Sequence, residues 1–227
     1  MENKYAFTIE GAPDYSMLNV QVPANQAIMV EAQAMAAMDT NMKMKTKIKG
    51  GFGRMLGGES LTINEFTAEH AGAEIKISPN LPGDLAHFYI DNGQEIYVQN
   101  SCFLASNTQV QTDSKWGGVK GFFSGMGLFL LKCSGQGDLW FNSFGGLIEM
   151  EIANSSYIVD TAHIVAFTSG LDYHIRKVGS YKSLFFSGEG LVCEFKGTGK
   201  IWIQSRKLMP LVGWVEPYRR VKKKNNN

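Results

Sequence analysis

The residue types that most often bind metals are present in this chain but scattered. A cupin-type metal centre in a β-barrel needs two histidines and a carboxylate at close spacing on adjacent strands. No His-x-His pair occurs, so the sequence predicts no metal site. His163 stands in an apolar run and is expected to be a core or interface histidine held by a hydrogen bond. The other histidines are His70, His87 and His174.

The three cysteines give no sign of redox or metal chemistry. Cys102, Cys133 and Cys193 form no Cys-x-x-Cys pair, and each lies in an apolar or alternating run. A free cysteine in such a run behaves as a small hydrophobic side chain. All three are therefore predicted to be buried and inert, and unpaired thiols favour a reducing cytoplasm.

Glycine pairs within residues 125–127 and 188–190 resemble a phosphate-binding loop only superficially. They lack the Gly-Lys-Ser/Thr of a P-loop and the strand–turn–helix setting of a dinucleotide site. They are predicted to be hairpin residues, because turns with positive φ select glycine. No Ser/His/Asp order or Cys/His pair indicates nucleophilic catalysis. The sequence thus predicts neither an enzyme nor a cofactor.

These glycines belong to an internal repeat. Each copy has two large apolar residues, a small residue, glycine, a variable position, a small residue and leucine, and a second shared element follows. A period of roughly 60–70 residues predicts three structural units. The first elements are residues 55–61 (MLGGESL), 122–128 (FFSGMGL) and 185–191 (FFSGEGL), and the second are 72–78 (GAEIKIS), 137–143 (GDLWFNS) and 199–205 (GKIWIQS).

The elements that carry these motifs are predicted to be strands. Apolar and polar residues alternate with period 2 in several segments, as in half-buried strands. Residues 32–38 are rich in helix formers but align with strand-like segments of the other copies, so a strand is expected there as well. The alternating segments are residues 28–31, 42–48, 74–78, 95–98, 147–152 and 201–204.

One unit has too few strands to bury its apolar face alone, so the units are expected to share a core. The predicted fold is all-β, with triplicated antiparallel β units forming a pseudo-threefold barrel. Residues 1–206 form a single domain of three repeats, at about 13–79, 80–143 and 144–206, and residues 207–227 form a tail. One polar residue per unit could join a binding ring, although solvated strand edges are the alternative; these are Glu31, Gln99 and Asp160.

Five short motifs follow one another along the chain: residues 58–61 (GESL), 159–166 (VDTAHIVA), 188–191 (GEGL), 197–199 (GTG) and 203–206 (IQSR). They resemble the altered-inheritance-of-mitochondria protein twenty-four family, a mitochondrial biogenesis family whose bacterial members have no agreed activity. The resemblance covers about residues 15–206, with Ala162 replacing a usual glycine. It implies a fold similar to the tryptophan RNA-binding attenuation protein-like barrels, of double-stranded β-helix type and often trimeric. Mitochondrial members look like inner-membrane organisation factors, and fold alone does not transfer RNA binding.

The paired apolar residues of the first repeat element are candidates for an exposed surface. At equivalent places in three units they would lie along one rim, as a larger patch than a monomer normally exposes. Arg54, Lys120 and Lys182 precede the pairs, as expected of a rim that meets lipid phosphates. The alternative is that the pairs cap the core, because apolar residues are mostly buried. The pairs are Met55 and Leu56, Phe122 and Phe123, and Phe185 and Phe186.

The tail combines an apolar, aromatic segment with a basic cluster. Pro210, Gly213 and Pro217 argue against a stable helix in residues 208–218. Trp214 and Tyr218 beside five cations suit an anionic lipid surface. The alternative is that this segment straps onto a neighbouring subunit. The cations are Arg219, Arg220, Lys222, Lys223 and Lys224.

The charge balance and the apolar runs limit the partners. Five of the 22 basic residues lie in the tail cluster and no acid does, which leaves 17 against 21 acids, or about −4, for residues 1–218. An acidic body argues against nucleic acid as a partner. The start of the chain has no signal segment, and the longest apolar stretch, residues 121–131, is too short to span a bilayer. The cytoplasm, or the inner face of its membrane, is the expected location.

We therefore expect a non-enzymatic scaffold or binding protein. Its predicted partners are further copies of itself, as a homo-oligomer with a trimer favoured, and an anionic membrane or a membrane protein. The alternative is a soluble small-molecule or carbohydrate binder with a pocket at the pseudo-threefold axis.

Overall fold

Alternating apolar and polar residues build most of the chain into antiparallel strands. The computed structural model describes residues 4–49, 61–113, 129–177 and 191–219. The strands there are β1 (Ala6–Glu10), β2 (Met17–Val22), β3 (Ala27–Glu31), β4 (Met35–Met38), β5 (Met42–Lys49), β6 (Leu61–Ala68), β7 (Ala73–Ile77), β8 (Leu85–Ile90), β9 (Glu95–Gln99), β10 (Phe103–Asn107), β11 (Gln111–Asp113), β12 (Leu130–Ser134), β13 (Gly137–Asn142), β14 (Leu147–Asp160), β15 (Ile164–Thr168), β16 (Leu171–Lys177) and β17 (Leu191–Gln204).

Hydrogen bonds divide these strands among three sheets. The first has the order β1-β2-β7-β4, and the second has the order β5-β6-β3-β10-β13-β8. The third has the order β11-β12-β9-β15-β17-β14, with β16 also paired to β17. The strands curl as half a barrel. The all-β prediction is confirmed, including the strand expected within residues 32–38, whereas a closed pseudo-threefold barrel stays a prediction.

The repeated segments of the sequence form matching strand pairs. The second repeat element lies in β7, in β13 and in residues 199–204 of β17. Each of these strands is flanked by two strands of its own copy: β2 and β4, then β8 and β10, then β14 and β15. The ladder shifts register at the same place in each copy, between Met35 and Ala37, between Phe103 and Ala105, and between Ile164 and Ala166.

Two further ladders join successive copies. β10 of the second copy pairs with β3 of the first, with Ala105 opposite Val30. β15 of the third copy pairs with β9 of the second, with Ala166 opposite Val98. β10 is buried along its whole length, and so is β15 except for its last residue. These junctions therefore lie in the core.

The apolar side chains form three buried clusters. Trp140 and Phe66 belong to the first, and Phe141 packs edge-on against Trp202 in the second, with ring centroids 5.4 Å apart. The third cluster contains Phe167 and the last of the three cysteines. All three cysteines are free and buried, and burial raises the pKa of two of them, Cys102 and Cys193, to about 12. Their prediction as buried thiols is confirmed.

A buried carboxylate attaches the N-terminal segment to the second sheet. The oxygens of Asp138 accept hydrogen bonds from the Tyr5 backbone N–H at 2.8 Å and from Nε2 of His87 at 2.8 Å. The ring of His87 packs on Phe7 with centroids 4.5 Å apart. A buried charge is tolerated when such bonds satisfy it. Sequence reasoning missed this cluster because its members are far apart in the chain.

Candidate functional site at the C-terminal helix

The tail segment forms a short helix, so the prediction that it would not be helical is wrong. Helix α1 covers Leu208–Val215, and a 3-10 turn follows at Glu216–Tyr218. Pro210 falls in the first helical turn, where its missing N–H has no intrahelical partner to lose. Pro217 lies beyond the end of α1 and does not interrupt it.

Helix α1 is apolar on all sides and is not covered. Every residue from 208 to 219 is exposed, including Trp214 at 68% and Tyr218 at 75%. Their rings lie 5.9 Å apart and form an exposed aromatic pair. A helix that is hydrophobic all round is normally buried in a core or a membrane. The exposed helix of this chain is therefore a candidate interaction surface.

The start of α1 is held to the β body by a polar network. Lys207, just before the helix, contacts Asp160 with Nζ and Oδ2 2.5 Å apart. The other oxygen of Asp160 accepts from the Ala162 N–H at 2.8 Å. Nδ1 of His163 lies 2.5 Å from the carbonyl oxygen of Gln204, which confirms the prediction of a hydrogen-bonded histidine. These bonds fix the base of α1 while leaving its sides free.

A groove of about 690 Å³ lies between α1 and the β body. Its wall is close-packed at Gly145, where φ is +77° and an added Cβ would meet Oγ of Ser205 at 2.6 Å. Its aromatic and apolar lining comes from Tyr15, Phe144, Leu211 and Trp214, and its polar lining includes Asp14, His163, Ser205, Arg206 and Lys207. The groove could hold an apolar group with an anionic end.

The basic cluster is described only at its first member. Arg219 pairs with Glu216 at 2.8 Å, so part of its charge is offset. The other cations, Arg220, Lys222, Lys223 and Lys224, lie outside the described residues. The apolar hairpin pairs also lie outside them: Met55, Leu56, Phe122, Phe123, Phe185 and Phe186, with the basic residues Arg54, Lys120 and Lys182.

The predicted polar ring occupies equivalent corners, each four residues before the next strand. Asp160 is used in the network below α1, and Gln99 is buried and donates to Oγ of Ser101 at 3.0 Å. Burial raises the pKa of Glu31 to about 7, an effect that a hydrogen bond from Asn80 partly offsets. The interpretation of these residues as solvated edges is therefore wrong for Gln99. None of the three lines the groove beside α1.

Metal and membrane-spanning sites were sought over the described ranges. There, no group of three or more His, Cys, Asp or Glu side chains could hold a metal ion. In the same part of the chain, no helix has the length and apolar character needed to cross a bilayer. The site consists instead of an exposed apolar helix and the groove beside it.

Fold and site together define an all-β repeat protein that carries an exposed apolar helix at its C-terminal end. The sequence matches the family described as Mitochondrial biogenesis AIM24 over residues 7–206, and the chain belongs to this family. The resemblance noted from the motifs is thus confirmed. The match ends at the base of α1, so the exposed helix lies beyond the matched residues.

Two relatives come from Streptococcus pyogenes. An uncharacterised protein of serotype M6 is 27% identical over 96% of this chain and 92% of its own length. A crystal structure of a protein from this species is similar over 95% of this chain and all of that chain, with a TM-score of 0.80 and 26% identity. The crystal structure shares the fold of this chain, and neither relative comes with a described activity.

Proposed function

We propose that this protein is a non-enzymatic, homo-oligomeric scaffold that attaches to anionic membrane surfaces through its C-terminal segment. The observation that carries the proposal is helix α1, whose residues are apolar and exposed on all sides. Exposing so much apolar surface to water is unfavourable. The helix can bury this surface at the boundary between the headgroups and the acyl chains of a bilayer.

The dimensions of α1 favour binding at the surface of a bilayer. Eight residues at about 1.5 Å of rise each give a helix about 12 Å long, well short of the roughly 30 Å hydrocarbon core. Trp214 and Tyr218 form an aromatic pair of the type that anchors proteins at the headgroup level. The helix would therefore lie in the interface, with the β body outside the membrane.

Charge would orient the protein on the membrane. The body carries about −4, so an anionic surface repels it, whereas the five cations of residues 219–224 are attracted. Each basic residue near an anionic surface contributes about 1 kcal/mol, and salt screens this attraction. Burying a large apolar side chain contributes about 1.5–3 kcal/mol. The electrostatic and the apolar contributions to membrane binding thus both come from residues 208–224.

Vesicle flotation tests this function with matched variants. We expect intact protein to float with phosphatidylserine-containing vesicles at low salt, and a chain ending at Lys207 to stay unbound. Leu211→Asn with Trp214→Ser should lower the partition coefficient at least about ten-fold, equivalent to about 1.4 kcal/mol. Changing Lys222, Lys223 and Lys224 to Glu should abolish the preference for anionic lipid. Met44→Ser, at an exposed apolar residue of β5, is the control and should bind normally.

Equal flotation of intact and shortened protein, or no flotation of either, would remove the membrane function. Truncation after Lys207 keeps the contact of Lys207 with Asp160, so the body should stay folded. Thermal unfolding of every variant checks this. If truncation instead reduces the oligomer mass, the segment is a strap between subunits.

A soluble binding function is the second candidate, and the groove beside α1 favours it. Its mixture of aromatic and cationic lining suits a small anionic ligand with an apolar part. The pocket expected at the pseudo-threefold axis stays a prediction. The two candidates differ in flotation, since a soluble binder would leave vesicles unbound. The buried free thiols support a reducing cytoplasm as the location of either function.

A further inference from the structure

The junction between copies of the repeat is formed twice in this chain, and its third instance is open. β3 pairs with β10, and β9 pairs with β15. By position in the repeat, β4 of the first copy corresponds to β10 and β15, and residues 155–160 of β14 in the third copy correspond to β3 and β9. These two segments do not pair with each other in this chain. Within the described strands, β4 pairs with β7 alone, and residues 155–160 pair with β17 alone. We infer that β4 of one molecule pairs with residues 155–160 of β14 in a second copy.

The two formed junctions fix the register of the inferred one. Ala105 lies opposite Val30, and Ala166 lies opposite Val98. Aligning the copies on Glu31, Gln99 and Asp160 makes Ala37 the equivalent of the two alanines and Val159 that of the two valines. The pairing is then antiparallel, with Ala37 opposite Val159, Met38 opposite Ile158 and Asp39 opposite Tyr157.

Burial differs sharply between the formed and the open junctions. All five residues of β10 are buried, whereas all four of β4 are exposed. Met38 is 38% exposed and Ile158 is 48% exposed. The residues at their position in the second junction, Phe167 and Tyr97, pack with ring centroids 5.1 Å apart. Pairing of β4 with residues 155–160 would bring Met38 and Ile158 into contact in the same way.

Within β4 and residues 155–159, the open edges lack the features that normally prevent edge-to-edge pairing; the nearest charges, Asp39 and Asp160, lie at the ends of these segments. Exposed edges are usually protected by lysine, proline or an inward-pointing charge. β4 has the sequence MAAM, and residues 155–159 have the sequence SSYIV, without a charge or a proline. Both edges also continue an interface that the chain builds twice. A pair of strand edges without lysine or proline, and with a defined register, fits a second copy of the same chain.

The two edges cannot be closing on each other within one molecule, because both are exposed there. β4 belongs to the first sheet and β14 to the third. The pairing is head-to-tail, so successive molecules would form a ring if the rotation closes and a filament if it does not. Each added contact would join β16, β17 and β14 to β4, β7 and β2 of the next copy, in the strand order of the second sheet, with β1 of the next copy as a further strand beyond β2. It would supply the oligomer of the proposed function, and it needs no membrane.

Cysteine trapping in the absence of lipid tests the pairing and its register. Met38→Cys and Ile158→Cys are made in separate full-length chains and mixed under mild oxidation. We expect a disulfide-linked heterodimer from the mixture and none from either chain alone. Met35→Cys mixed with Ile158→Cys is the out-of-register control and should link at least several-fold less. The three native cysteines are buried, and wild-type protein controls for them.

Charge substitutions, combined with a measurement of molecular mass, test the same pairing independently. Wild-type protein should exceed the 25.1 kDa monomer by light scattering. Met38→Lys with Ile158→Lys in one chain should be monomeric, whereas Met38→Lys with Ile158→Glu should recover the oligomer. A cooperative thermal transition of the Met38→Lys, Ile158→Lys monomer would show that it is folded, at a lower midpoint than the oligomer because the contact between copies is lost.

Three results would overturn the inferred pairing. The first is a wild-type monomer at all concentrations. The second is a disulfide from Met38→Cys or Ile158→Cys alone, which would mean like-with-like contact. The third is an oligomer that Lys pairs leave intact and that truncation after Lys207 dissociates. None of these results decides whether the protein floats with vesicles. Failure of the inferred pairing can therefore be distinguished from failure of the membrane function.

Discussion

Among the acidic side chains of the described residues, Glu31 has a pKa that burial clearly raises. It ends β3 at the corner where the second copy meets the first, and its charge helps to raise the pKa of the buried Cys102 thiol. Burial raises the pKa of Glu31 itself from 4.5 to about 7. Asp160, its equivalent in the third copy, has Lys207 as a cationic partner. The same corner of the repeat thus holds a partly buried acid in the first copy and an acid paired with a lysine in the third.

Glu31 should make stability fall as pH rises. The folded state binds the proton more tightly than the unfolded state, so between about 4.5 and 7 the folded protein carries more protons and stability decreases with pH. Above 7 the cost of the buried charge is complete, and partial solvent access limits it to about 1–2 kcal/mol. Glu31→Gln should therefore stabilise the protein by about this amount at pH 8 and hardly at all near pH 4.

Denaturant unfolding of wild-type and Glu31→Gln protein at several pH values measures this difference. Glu65→Gln, at an acid within β6, is the control. An identical effect of Glu31→Gln at low and high pH would contradict a raised pKa.

Helix α1 is the element in which local propensity and observed structure disagree most. The sequence predicts no stable helix here because the segment contains two prolines and a glycine. In the structure, each of these three residues lies at a position where a helix tolerates it. Pro210 is in the first turn and Pro217 follows the helix. Gly213 lies inside the helix, where glycine costs about 0.5–1 kcal/mol relative to alanine.

Gly213→Ala should therefore strengthen both the helix and its membrane binding. An added Cβ meets no atom within 4 Å, so no contact opposes the change. We expect more helical far-UV circular dichroism and up to about five-fold tighter vesicle binding, corresponding to about 1 kcal/mol. Val212→Gly compared with Val212→Ala provides the reverse change at a neighbouring exposed site. Weaker binding of Gly213→Ala would mean that the bound segment is not helical.

The strands, in contrast, could be predicted well from sequence. Segments such as 74–78 and 95–98 alternate with period 2, and that pattern is physical: one face of each is buried and the other is not. The strand β4 required the repeat, because residues 32–38 alone favour a helix. Aligning the copies of the repeat gave the right prediction for β4 where local propensity alone would have given a helix. The tail is not part of the repeat, so no such alignment was possible for α1.

At the scale of the whole molecule, the candidate site was only half predictable. Trp214 and Tyr218 could be selected from their types and their basic neighbours. The groove could not, because it brings together Tyr15, Phe144, His163 and Leu211 from four distant parts of the chain. The open edges of β4 and β14 also became visible only once the strand pairs were known. Sequence repeats indicate equivalent strands, but not which of their equivalent contacts are formed.

The membrane function rests on Trp214 entering the headgroup region while the β body stays outside. Quenching of tryptophan fluorescence by brominated lipids measures this directly. The chain has four tryptophans, so all proteins in this experiment carry Trp116→Phe. Trp140 and Trp202 are buried in the body, and Trp214→Phe then isolates the contribution of the helix. With anionic vesicles, we predict strong quenching by lipids brominated near the headgroup end, weaker quenching by lipids brominated near the tail end, and loss of both in Trp214→Phe. Vesicle-dependent quenching that persists in Trp214→Phe, or that is absent from the intact protein, would contradict attachment through helix α1.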